Sequence, residues 1–133
     1  MDAARLKALP LFGDLANKDL EKIARWTDEV DVPSGRQLVR EGAFPHEFMV
    51  IESGTADVLH DGATVAQLSA GDFFGEMALL ESIRRTATVT ATSDLRVIVM
   101  NDRDFREMER EMPEIARRIK ATMDERRARD AQR

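Results

Sequence analysis

Between residues 27 and 100 no apolar run lasts more than a few residues before a turn residue interrupts it. Short apolar or alternating runs at 29–32, 37–40, 47–52, 55–60, 64–68, 86–92 and 95–100 are separated by Pro33-Ser34-Gly35, Glu41-Gly42, Ser53-Gly54, Asp61-Gly62 and Ala70-Gly71-Asp72. Seven or eight strands of this length and spacing predict a barrel or jelly roll. Within 86–92, Ala87, Val89 and Ala91 face one way while Thr86, Thr88, Thr90 and Thr92 face the other, the period of a half-buried strand. Asp61-Gly62, set between two strand-like runs, suits a tight hairpin turn.

The flanks have a different period. Residues 1–26 read as helical with a break at 9–14; Asn17 is a candidate N-cap, and Leu20, Ile23, Ala24 and Trp26 supply the buried side of the helix after it. Beyond residue 100, Asn101 or Asp102 can cap a helix whose apolar side carries Phe105 and Met108. Pro113 then sits at a favoured first-turn position, and Ile115, Ile119 and Met123 recur every four residues. Residues 124–133 are almost wholly polar, and the expectation is that this end frays. The predicted fold class is mainly β with flanking α: a β-roll at 27–100, an N-terminal helical segment at 1–26 and C-terminal helices at 101–133. A length of 133 residues holds a single domain of this kind.

Composition removes several functions. The chain has no cysteine, which excludes disulfides, thiolate metal sites and a cysteine nucleophile. Its formal net charge of −5 disfavours non-specific binding to nucleic acid, so any phosphate it recognises must meet a local positive site. His46 and His60 are the only histidines. A jelly-roll metal enzyme needs several converging histidine and carboxylate ligands, which two histidines do not supply. No serine–histidine arrangement or nucleophile elbow is visible. Runs such as Phe48-Met49-Val50-Ile51 are strand-sized, far short of the roughly 20 residues of a membrane span. The opening Met1-Asp2-Ala3-Ala4-Arg5 has no apolar signal region. The expectation is a cytoplasmic protein that is not an enzyme, with no metal, no cofactor, no nucleic-acid partner and no membrane insertion.

One stretch, residues 71–88, breaks the strand pattern. Gly75 precedes a short helical turn at 76–80, and a helix start offers free backbone N–H groups and a positive dipole end to an anion. A glycine there lets the backbone approach a ligand with no Cβ in the way. Arg85 follows where the next strand begins, and its planar guanidinium can grip two phosphate oxygens at once. Glu76 stands beside this positive cluster as an acceptor for ligand hydroxyls. An anion seat, an arginine and a carboxylate for a diol together describe a sugar phosphate. Phe73 and Phe74 read as core.

The run FGEMALLESIRRTATV resembles the phosphate-binding cassette of the cyclic-nucleotide-binding domain family, which includes catabolite activator proteins, regulatory subunits of cyclic-nucleotide-dependent kinases and cyclic-nucleotide-gated channels. The resemblance extends to the turn glycines Gly35, Gly42, Gly54 and Gly71 and to Pro10-Leu11-Phe12, and it covers the chain to about Arg127. It implies that the ligand is cAMP or cGMP, that Glu76 accepts from the ribose 2′-hydroxyl and that Arg85 pairs with the cyclic phosphate. Backbone N–H groups near Ala78 and Ala87 would complete the cradle, with Phe74, Gly75 and Met77 alongside. The Thr86 hydroxyl would add a contact associated in the family with better cGMP binding. The last helix, 113–127, looks like that of bacterial cyclic-nucleotide-gated potassium channels, which implies that Arg126 covers the base, with Met123 as the apolar alternative for that lid, and that Val58 touches the other side; by its spacing Met123 reads as helix packing. One departure is Arg84, where the family often has proline. The expected action is a sensor whose C-terminal helices close over the nucleotide, with output through an effector protein or through self-association of the last helix. The alternative is a ligand-free protein-interaction or dimerisation module on the same fold.

Overall fold

The computed structural model describes residues 2–40, 47–75 and 87–131. The chain begins with α1 (Ala3–Leu6), where the Asp2 side chain accepts a hydrogen bond from the Ala4 amide at 2.9 Å. A tight turn over 7–15 leads into α2 (Asn17–Trp26). Its N-cap is Ala16, not the expected Asn17: the Ala16 carbonyl already accepts from the amides of Asp19 and Leu20, both at 3.0 Å, so Asn17 is the first helical residue. Leu20 and Ile23 are buried, with Ala24 and Trp26 packed partly buried against the same core.

Eight strands follow: β1 (Thr27–Val32), β2 (Gln37–Val39), β3 (Glu47–Ser53), β4 (Ala56–His60), β5 (Ala63–Leu68), β6 (Phe73–Phe74), β7 (Thr88–Ala91) and β8 (Leu95–Asn101). They form two four-stranded antiparallel sheets, ordered β1-β8-β3-β6 and β2-β7-β4-β5. The β4–β5 hairpin turns on Asp61 and Gly62, both at positive φ (51° and 81°), as a two-residue hairpin of the primed type demands. β6 lies outside the runs read from the sequence, because two residues are too few to display an alternation; it is held by pairing of Phe73 and Phe74 with Val50 and Met49 of β3. β1 is an edge strand among those described, and it carries Asp28, Glu29 and Asp31.

Two helices close the chain. Asn101 caps α3 (Asp102–Glu111) by accepting from the Asp104 amide at 2.8 Å, with Asp102 and Asp104 favourably placed in the first turn. Met112 separates it from α4 (Pro113–Ala131), and the Met112 carbonyl already accepts from Ile115 at 3.1 Å, so Pro113 enters the helix where no amide is needed. Ile115, Ile119 and Met123 are buried as their spacing predicts. The helix then continues to Ala131, further than the polar composition of 124–133 led us to expect.

Within the β1-β8-β3-β6 sheet, β3 and β8 are covered on both faces, whereas β1 is exposed over its middle four residues. Phe48, Val50, Ile98, Met100 and Phe73 point to the helices and join Leu11, Phe12, Phe105, Met108, Ile115 and Ile119 in one core. Met49, Ile51, Leu95, Val97 and Phe74 point the other way, into the roll, against Ala56, Leu68, Val89 and Ala91 of the second sheet. The unbroken apolar run 48–51 is the sequence signature of a strand covered on both sides.

Gly54 and Gly35 both have φ near +90°, but their surroundings differ. A Cβ on Gly54 would lie 2.4 Å from the Asp94 carbonyl oxygen and 2.7 Å from Leu95 Cδ2, whereas one on Gly35 would meet nothing within 4 Å. Gly35→Ala should therefore cost roughly 1–2 kcal/mol of backbone strain, and Gly54→Ala should add an overpacking cost of roughly 1–3 kcal/mol. Urea unfolding of the two variants checks this; equal losses would refute the crowding at Gly54.

Candidate functional site

The segment singled out by its chemistry is bracketed by β6 on one side and β7 on the other. β6 ends at Phe74, and Gly75 follows with φ 93°, a backbone turn that a side chain would strain. Ala87 stands immediately before β7. Between them, Glu76, Met77, Ala78, Arg84, Arg85 and Thr86 lie outside the described residues, as does His46.

Two of the remaining candidates are placed by the roll. Phe74 is buried in its interior, consistent with a core role. Val58 on β4 pairs with Val89 of β7 and packs partly buried against the same interior cluster. Since Val89 lies two residues beyond Ala87 on one alternating face, Val58 sits across from the strand that leads out of the segment.

Arg126 is positioned by α4. Its Nη2 donates to the Phe73 carbonyl oxygen at 2.7 Å, and its guanidinium carbon lies 5.0 Å from the centre of the Phe73 ring, within cation–π range. Phe73 is itself fixed by Phe48 (centroids 5.5 Å apart), and Phe48 by Phe105 of α3 (5.1 Å). Arg126 is half-buried and engaged, unlike a typical exposed arginine near a helix end, and its grip on Phe73 gives a physical reason for the helical order of 124–131. The sequence offers no local sign of this contact, which joins positions 53 residues apart.

A second arginine of α4 reaches the N-terminal turn. Arg118 donates to both Asp14 carboxylate oxygens, at 2.7 and 2.5 Å, and to the Leu11 carbonyl at 3.1 Å. The hydrogen bond from Arg118 holds the Asp14 carboxyl below the usual aspartate range. Neither residue is singled out by sequence reasoning, because 104 positions separate them.

A cleft of about 510 Å³ lies elsewhere, at the ends of β1, β3 and β8, lined in part by Asp31, Glu52, Asp94 and Arg96. Arg96 is already paired with Asp31 at 3.1 Å, and three carboxylates would repel a phosphate, so this cleft is unsuited to an anionic ligand. Among the described residues no group of three or more His, Asp or Glu side chains could hold a metal ion, and no helix is long and apolar enough to cross a membrane.

Comparison with known proteins gives a consistent result. The model of the family described as "Cyclic nucleotide-binding domain" matches residues 29–111, more than half of the chain. The cAMP-dependent protein kinase regulatory subunit of Eremothecium gossypii is 40% identical over 104 residues, covering 77% of this chain and 23% of that protein. A cyclic nucleotide-gated potassium channel of Rhizobium etli is 36% identical over 120 residues, covering 90% of this chain and 34% of the channel. The chain thus spans about a quarter to a third of the length of these relatives. Among solved structures, the regulatory subunit of a cAMP-independent protein kinase A from Trypanosoma brucei aligns with a TM-score of 0.83 at 21% identity, over 91% of this chain and 44% of that one, a likeness of fold. This chain belongs to the cyclic nucleotide-binding domain family.

The Asp14–Arg118 pair has a pH signature. Because the folded pKa of Asp14 is depressed, its contribution to stability is full above the usual aspartate range, fades as the pH falls below it and is gone once the pH drops through the lowered folded value. The melting temperature of the parent should therefore fall more steeply with acid than that of Asp14→Asn, and the two curves should converge at the acid end. A gap that stays constant down the titration would show that the pair is not ionic in its effect.

Proposed function

We propose that this chain, acting as one domain over residues 1–133, is a non-enzymatic regulatory module that binds one cyclic nucleotide, cAMP or cGMP, and answers by closing α4 over it. Glu76 accepts from the ribose hydroxyl, and Arg85 pairs with the cyclic phosphate. The backbone from Phe74 through Ala78, with Ala87 and the Thr86 hydroxyl, completes the cradle. Val58 and Arg126 lie on opposite sides of the base.

The observation that carries this reading is the family match across 29–111, a span that contains Gly75, Glu76 and Arg85 at the spacing a sugar-phosphate site needs. The engagement of Arg126 by Phe73 supports a covering role for α4, since Phe73 lies two residues before Gly75. Closing works as a switch only if the nucleotide binds the closed arrangement better than the open one. Turning a mostly open population into a mostly closed one takes about 5.5 kcal/mol of differential affinity. A desolvated arginine–phosphate pair can supply a large share of that. The output then passes to an effector protein or through α4 to a second copy.

The second reading, a ligand-free interaction module, draws on a neighbour of the same fold that is the regulatory subunit of a kinase described as cAMP-independent, so this fold does not by itself require a response to cAMP. Calorimetry separates the two readings, because the module gives no heat and no thermal stabilisation with either nucleotide. On the sensor reading, Arg85→Ala should weaken binding by about 2–5 kcal/mol, which is about 30-fold to several thousandfold in affinity. Parental affinity in that variant would remove Arg85 from the site. Thr86→Ala should weaken cGMP more than cAMP, and equal losses would discard the threonine as a specificity determinant.

A further inference from the structure

The N-terminal turn touches both halves of the proposed site. On one side Pro10 lies against Gly71, where a Cβ would come within 3.2 Å of Pro10 Cδ. Gly71 belongs to the turn that feeds β6 and is stitched to β3: its amide donates to the Ile51 carbonyl, and the Ile51 amide to the Asp72 carbonyl, both at 2.8 Å. On the other side Asp14 and the Leu11 carbonyl hold Arg118 of α4. Leu11 and Phe12 are buried in the same core as Ile115 and Ile119, so the turn and the helix cannot slide past one another without exposing apolar surface. From Arg118 to Arg126 is eight residues, about 12 Å along the helix.

We infer that Asp14 and Arg118 are a positioning pair for the nucleotide site: they fix α4 against the turn that also locates β6, and so keep Arg126 beside Phe73. The inference rests on the function proposed above for its effect on affinity, but not for its effect on the helix. The two-pronged geometry matters because a guanidinium held by both carboxylate oxygens fixes orientation as well as distance. The third bond, to the Leu11 carbonyl, ties that orientation to the backbone of the turn. Among the described residues assigned to the ligand, Arg118 and Asp14 bond to none; their hydrogen bonds are to each other and to the Leu11 carbonyl. They act through α4.

The test is a double-mutant cycle of Asp14→Asn, Arg118→Gln and the pair together, read in two ways. The first reading is nucleotide affinity. Each single variant should weaken binding about two- to five-fold, the range open to a partly exposed ion pair. The double variant should be no weaker than Arg118→Gln, because all three variants break the same ion pair and the arginine change already includes loss of the Leu11 bond. The second reading needs no ligand. The chain has no cysteine, so spin labels on Ala66→Cys and Ala128→Cys, both at exposed positions, report the distance from β5 to the end of α4 with no other reactive thiol. That distance distribution should broaden in each single variant and broaden no further in the double than in Arg118→Gln. Parental affinity and distances in the single variants, or effects that simply add, would overturn the inference. A parent that binds neither nucleotide refutes the function proposed above, and the label distances then decide the positioning role alone.

Discussion

Two central strands covered on both faces organise this molecule. β3 and β8 send alternate side chains to two separate cores, Phe48, Val50, Ile98 and Met100 toward the helices and Met49, Ile51, Leu95 and Val97 into the roll. Close-packed interiors transmit strain, so a wall shared by two cores links what happens on its two sides. β6 shows this at the smallest scale. Its two residues are adjacent in sequence, yet Phe73 belongs to the helical core and Phe74 to the interior of the roll. A displacement of the Gly75 turn is therefore felt in both directions within one residue.

The helical side of that wall is where a change at the site can become a change of shape. Phe73 connects to Phe48 and Phe105 through ring contacts, and to Arg126 through its ring and carbonyl. The energies involved are modest: an aromatic pair contributes about 0.5–1.5 kcal/mol beyond its area, and a cation–π contact about 0.5–2 kcal/mol. Contacts of that size suit the closing helix proposed above, because a bound ligand would outweigh them. The buried stripe Ile115–Ile119 is a firmer attachment, with each fully buried aliphatic side chain contributing about 1.5–3 kcal/mol. α4 is thus anchored by its buried stripe as far as Met123 and, beyond it, held by the contacts of Arg126.

The fold was legible in the sequence because its determinants are local. Turn glycines and the Asp61-Gly62 pair mark the strand boundaries, alternation in 86–92 marks a half-buried face, and the spacing of Ile115, Ile119 and Met123 marks the buried side of α4. Boundaries failed where the signal was too short or indirect. β6 has two residues, and the start of α2 was set by the Ala16 carbonyl in place of an Asn17 side chain. The proposed site rests on chemistry read from the sequence, through Gly75, Glu76 and Arg85, of which only Gly75 lies among the described residues, and on the resemblance that pointed to Arg126. What holds Arg126 was not legible, because Phe73 and the Asp14–Arg118 pair meet it or its helix only through the folded chain. Long-range side-chain pairs leave no periodicity behind.

The outermost strand of the sheet deserves a last consequence. β1 presents Asp28, Glu29 and Asp31 along a six-residue edge. Among the described residues that edge is open, which invites a neighbouring chain to add to it, and charged side chains along it, two of them paired with Arg5 and Arg96, discourage that addition. A roll fringed with carboxylates can crowd against copies of itself, or against sister modules on one polypeptide, while each keeps its hydrogen-bond ladder closed to the others.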